Sequence, residues 1–131
     1  MAGLILWKSG ATGVMPWVYM GNNSDFYNET DKGLDKIGYM NTVYPSKEGP
    51  IPTLGWEAIR EGVDDVRYLA TLAALIEKEP DPGKARQAQK VMDEIIKGVP
   101  LNPSDALFSL TEEDLQNCRK KIARAIIELT K

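Results

Sequence analysis

The densest run of ionisable side chains in this sequence is Trp56-Glu57-Ala58-Ile59-Arg60-Glu61-Gly62-Val63-Asp64-Asp65-Val66-Arg67-Tyr68. If it is helical, Glu57 and Glu61 share a face, Arg60 sits four before Asp64, and Glu57 three before Arg60. Two carboxylates about 5–9 Å apart can flank a glycosidic bond, one as acid and one as nucleophile or base. Such acids also need a cleft and unequal surroundings to separate their pKa values. Two glutamates on one turn of one helix have neither, so Glu57 and Glu61 are not a catalytic pair. The run reads instead as a salt-bridged face, each pair contributing about 0.2–0.5 kcal/mol. Gly62 costs up to about 1 kcal/mol relative to alanine inside a helix. Its presence predicts close approach of another backbone, or a kink.

Other chemistries are excluded by composition. The 131 residues contain no histidine and one cysteine. That removes Ser-His-Asp and Cys-His nucleophiles, an internal disulfide and a Cys-x-x-Cys zinc site. Cys118 falls on the apolar face of an expected helix and reads as a packing residue, not a reactive thiol. Net charge is -3, with basic residues interleaved among acids, so there is no basic stripe for nucleic acid. No stretch approaches the ~18 apolar residues of a membrane span. The N-terminus has a short apolar run, Leu4-Ile5-Leu6-Trp7, with its lysine after it, unlike a signal peptide. No metal or cofactor is expected. Asn22 and Asn28 fit the short glycosylation pattern, which arises often by chance.

A second group of candidates is aromatic: Trp17, Tyr19, Phe26, Tyr27, Tyr39 and Tyr44 crowd the irregular first part of the chain. Flat apolar faces with polar tips suit sugar rings, whose C–H faces are apolar and whose rims carry hydroxyls. Trp17 and Tyr19 are the better candidates for that role, and ordinary packing accounts as well for the others.

These residues must be held by a chain that divides in two. Residues 1–52 are rich in Gly, Pro, Asn and aromatics, and residues 53–131 follow a helical pattern, the whole forming one compact domain. Residues 2–9 suit the last turns of a helix closed by Gly10. The continuous apolar run at 13–20 suits a short strand buried on both faces, with Pro16 against it. Residues 39–44 suit a second extended piece, after which Pro45, Pro50 and Pro52 keep the backbone irregular. A long helix is expected over 53–79, with Ile59, Val63, Val66, Ala70 and Ala73 as its inner stripe, widened by Leu69, Leu72 and Ile76. Pro80 stops it. Asp81 and Pro82 start the next helix, which buries Ala85, Ala88, Met92 and Ile95 and ends at Gly98 and Pro100. Thr111, with Asp114 three residues on, caps a third helix with the stripe Leu115, Cys118, Ile122, Ala125, Ile126 and Leu129. The fold class is therefore mainly α: three amphipathic helices preceded by a short strand and loop region.

Three segments together resemble one family: residues 6–19, "LWKSGATGVMPWVY"; Val43-Tyr44-Pro45; and residues 54–69, "LGWEAIREGVDDVRYL". They are similar to the C-terminal part of the catalytic domain of glycoside hydrolase family 123 and its uncharacterised relatives (domain of unknown function 4091). The most specific part is the match of Trp56, Glu57, Arg60, Glu61, Gly62, Asp65 and Tyr68 to the family's "RWEAxREGIxDYxYL" pattern. Gly55 stands where arginine is usual, and Val66 where tyrosine is usual. The resemblance covers residues 3–80, and the helical tail beyond carries none of it.

The resemblance implies the C-terminal end of a (β/α)8 barrel, with residues 13–20 as its last strand and residues 53–79 as a helix near the barrel's end. Strand ends line the pocket of such a barrel. That placement makes Trp17 and Tyr19, with Tyr44, the sugar-contacting aromatics. The implied reaction is hydrolysis of an N-acetylhexosamine glycoside with the substrate acetamido group as nucleophile, assisted by an adjacent Asp-Glu pair on an earlier strand. The chain is expected to begin after that strand and to carry no Asp-Glu dipeptide. The expectation is a glycoside-hydrolase portion without catalytic residues of its own, inactive alone. Its expected partners are a carbohydrate and, through the apolar N-terminal segment, a second copy. The alternative is a small helical interaction or oligomerisation module without enzymatic activity.

Overall fold

The computed structural model describes residues 2–15, 42–44, 46–102 and 109–131. Among them the chain is mainly helical: α1 (Ala2–Ser9), α2 (Leu54–Lys78), α3 (Pro82–Gly98) and α4 (Glu112–Leu129), with a two-stranded sheet of β1 (Val43–Tyr44) and β2 (Ile51–Pro52). The chain forms two compact units, one of Met1–Thr12 with Glu61–Lys131, the other of Gly13–Arg60. α2 begins in the second and continues in the first.

The helical unit is built around one core. Leu4 of α1, Leu69 and Leu72 of α2, Ala88 and Ile95 of α3, Val99, and Ile122 and Ala125 of α4 are buried together. Fully burying a Leu or Ile side chain stabilises by about 1.5–3 kcal/mol, so this cluster is the unit's main source of stability. Each helix boundary has a local cause. Gly10, at φ 69, closes α1 in the left-handed conformation that only glycine adopts without cost. The Asp81 carboxylate accepts from the backbone N–H groups of Gly83 and Lys84, with Pro82 in the first turn of α3. At α4 the Thr111 hydroxyl accepts from the Asp114 backbone N–H at 3.1 Å, and the Asp114 carboxylate accepts from the Thr111 backbone N–H at 2.9 Å. This reciprocal pair satisfies two donors that a helix start leaves unpartnered.

α1 is held to the rest of the unit in two ways. Gly3 packs against Gly62 so closely that a Cβ at Gly3 would lie 2.9 Å from the Gly62 carbonyl carbon and 2.8 Å from Asp65 Cβ. The helix-interior glycine thus marks a close backbone approach, as its position suggested. At the other end, Lys8 Nζ donates to the carbonyl oxygens of Val99 and, at 3.3 Å, Lys97. These carbonyls are at the C-terminal end of α3, where a helix concentrates partial negative charge.

The unit of Gly13–Arg60 contains the sheet and the start of α2. β1 and β2 pair antiparallel in the register Val43 with Pro52 and Tyr44 with Ile51. The turn is closed by the Ser46 hydroxyl donating to the Gly49 carbonyl at 2.6 Å. Thr53 joins the hairpin to the helix. Its backbone N–H and hydroxyl both donate to the Thr42 carbonyl, at 3.0 and 2.8 Å, and its hydroxyl oxygen accepts from the Trp56 backbone N–H at 3.3 Å.

Two expectations need correction. Of the stripe expected on α2, Leu69, Leu72 and Ile76 do face the core, but Ile59, Val63, Val66, Ala70 and Ala73 are not its buried line. Gly62, Asp65, Leu69 and Leu72 are buried, with Ile76 beside them, whereas Val63 is 45% exposed. The stripe that runs through Gly62 fits against α1, and a valine line cannot approach as closely. The prolines keep residues 46–50 irregular as expected, but not residues 51–52, where Pro52 takes a place in β2. A two-residue edge strand has few ladder bonds to lose, so it tolerates proline. Of the expected strand at 13–20, residues 13–15 are not in a strand and residues 16–20 lie outside the described residues. No helix among the described residues is long and apolar enough to cross a membrane.

Candidate functional site

The acidic motif lies on α2, and its carboxylates are already engaged. Arg60 Nη2 is 2.6 Å from Glu57 Oε2, and Arg67 Nη1 donates to Asp64 Oδ1 at 3.2 Å, both on the exposed side of the helix. The stronger cluster involves a residue far away in sequence. Arg119 of α4 donates from Nε to Asp65 Oδ1 at 2.6 Å and places Nη1 2.9 Å from Glu61 Oε2. Asp65 is only 2% exposed. Burying a carboxylate costs several kcal/mol unless it is paired and hydrogen-bonded, and the guanidinium supplies that pairing. The bond to Asp65 is the main cause that raises the Arg119 guanidinium above its ordinary pKa, helped by the charges of Asp65 and Glu61 and opposed by burial.

One guanidinium thus ties both Glu61 and Asp65 of α2 to α4, while Glu57 faces Arg60 on the exposed side of α2. The expectation of no Asp-Glu dipeptide is corrected by the sequence itself, which holds one at Asp93-Glu94. Both residues are exposed on α3, where neighbours on a helix point about 100° apart. Asp93 accepts from Gln89 Nε2 at 2.7 Å.

The remaining motif residues are structural or peripheral. Gly62 is buried against Gly3. Trp56, in the first turn of α2, and Tyr68 are partly exposed, at 38% and 44%. Tyr68 edges a shallow groove with Asp64, Arg67, Thr71 and Ile126. Tyr44 is half-buried in β1. Trp17 and Tyr19, the leading sugar-contact candidates, lie outside the described residues, as do Phe26, Tyr27 and Tyr39. Burial pushes the Cys118 thiol above its ordinary value, against the pull of Lys121, so it is not an activated thiolate. Among the described residues no group of three His, Cys, Asp or Glu side chains is placed to hold a metal ion. A cleft of about 600 Å³ is lined by Leu4, Ile95, Val99, Cys118, Lys121 and Arg124, and none of the motif residues borders it.

Arg119 is the residue that sequence reasoning missed. It follows Cys118 on the flank of an apolar stripe, where a lysine or arginine is usually solvated. The only hint was indirect: Glu61 and Asp65, four apart, present two anions on one helical face.

No curated protein and no solved structure matches the chain. The family model of the glycoside hydrolase 123 catalytic domain matches residues 1–72, a span that takes in α1, the hairpin and α2 as far as Leu72. That is more than half of the 131 residues, and the chain belongs to the glycoside hydrolase 123 catalytic-domain family.

Proposed function

We propose that the chain forms the C-terminal portion of an N-acetylhexosaminidase-like catalytic module, supplying pocket aromatics while the acid chemistry is done by residues it does not contain. The observation that supports this most is the family match over residues 1–72 together with the committed state of the motif's acids, Glu57 on Arg60 and both Glu61 and Asp65 on Arg119. On this reading Trp17, Tyr19 and Tyr44 contact the sugar, and α2 packs near the end of a (β/α)8 barrel. The uncovered apolar line on α2, with Val63 and Ala70 exposed, suits such packing. The test is turnover of aryl N-acetylhexosaminides by the isolated chain. No turnover is expected, and clear turnover abolished by Glu57→Gln or Glu61→Gln would overturn the reading. Calorimetry with amino sugars tests the aromatics: Trp17→Ala should remove any heat of binding.

One observation favours a second reading, self-association without enzymatic activity. At the described start of the apolar N-terminal segment, Val14 is 66% and Met15 92% exposed. Exposed apolar side chains in sequence are what a second copy would cover. Light scattering separates the two: a strictly monomeric particle at high concentration removes self-association.

A further inference from the structure

We infer that α3 and α4, which lie outside the family match, are a strap without which α1 and residues 61–72 do not hold their structure. Three independent observations cross the end of the match at residue 72. The first is the core. Within the helical unit the matched segment contributes Leu4, Leu69 and Leu72, with Ile5 and Trp7 partly buried beside them, and the other buried residues of the same core, Ala88, Ile95, Val99, Ile122 and Ala125, come from beyond the match. The second is charge. Asp65 is matched and buried, and its guanidinium partner, Arg119 at 2.6 Å, is on α4. The third is the cap. Lys8 is matched, and it bonds the carbonyl oxygens of Lys97 and Val99 at the end of α3.

An appended tail would leave the matched part with its own core and its own charge partners. Here most of the buried core and the partner of the buried carboxylate come from the tail. A buried carboxylate without its cation is among the costliest defects a core can carry, and three large apolar side chains without cover lose most of their burial. The strap is thus required by the very residues that define the family motif, whatever sugar the chain meets.

Native-state hydrogen exchange of the unmodified chain in low denaturant tests this. The slowest amides of α1, residues 61–72 and α4 should exchange through one shared opening, with the same dependence on denaturant. If α4 opens at lower denaturant while α1 and residues 61–72 stay protected, the tail is an appendage and the inference falls. Arg119→Ala gives the second arm. It should speed exchange in α1 and residues 61–72 on the order of a hundredfold, in line with loss of a buried pair. Glu61→Gln, which removes only the more exposed branch, should change it less than about threefold. Acceleration confined to α4 in Arg119→Ala would also overturn the strap.

Discussion

Glu57 and Asp65 stand about two turns apart on α2, each beside an arginine, and they differ in what surrounds them. The Glu57–Arg60 pair is formed within one helix by side chains that are 41% and 67% exposed. The Asp65–Arg119 pair joins two helices, with Asp65 2% and Arg119 23% exposed. In water the first pair exchanges hydration for a contact of nearly equal worth. In the second, water has been removed from Asp65, so that carboxylate depends on the guanidinium. Two positions of one sequence motif, alike on paper, thus have different duties. One decorates a surface, and the other fixes which face of α2 is inside.

The contrast can be broken most severely at Arg119. Arg119→Ala should lower unfolding stability by about 3 kcal/mol, the lower part of the range for a broken buried pair because Arg119 keeps some contact with water. The double variant Asp65→Leu with Arg119→Met should recover most of that in urea titration, since an apolar pair of similar volume often replaces a buried ion pair without loss. Failure to recover would mean the pair's geometry, not its charge balance, is what matters. Next in size is Gly3→Ala. Its methyl group would meet the Gly62 carbonyl and Asp65 Cβ, and about 1–3 kcal/mol should be lost as α1 moves outward. A neutral result would show that α1 rides loosely on α2.

At the exposed end, Arg60→Ala should change stability by less than about 0.5 kcal/mol, and salt should erase even that. The mildest effect concerns pH. Hydrogen bonds from the Thr111 hydroxyl and backbone hold the Asp114 carboxyl below its ordinary value. A carboxyl whose folded pKa is depressed adds stability above its unfolded pKa, near 3.9, and loses it as pH falls through the folded one. Asp114→Asn should therefore flatten the acid limb of the stability profile, measured by thermal melts between about pH 5 and 2.

Helix boundaries were legible in the sequence because their causes are local. Gly10, Pro80, Asp81-Pro82, Gly98 and the Thr111–Asp114 box each act within a few residues. The buried face of α2 was legible only in part: Leu69, Leu72 and Ile76 were in the expected stripe, whereas Gly62 and Asp65 were not. The helix carries two apolar lines, and the one that faces the core runs through a glycine and an aspartate, which weakens its apparent hydrophobicity. Only Gly3 and Arg119, 59 and 54 residues away from Gly62 and Asp65, decide between them. β1 falls within the extended piece expected at 39–44, whereas β2 was hidden by its proline, since a two-residue strand offers no alternation to read. The motif itself was visible by its likeness to a family, but the commitment of its acids depended on a distant arginine.

Lys8 has one more consequence. It grips main-chain carbonyls, and a carbonyl is the same whatever side chain it belongs to. Position 97 is thereby free to drift during evolution without loosening the hold, while position 8 must retain a long, flexible cation. Selection at this joint falls on one partner only, so comparing pairs of positions for correlated change would not reveal it.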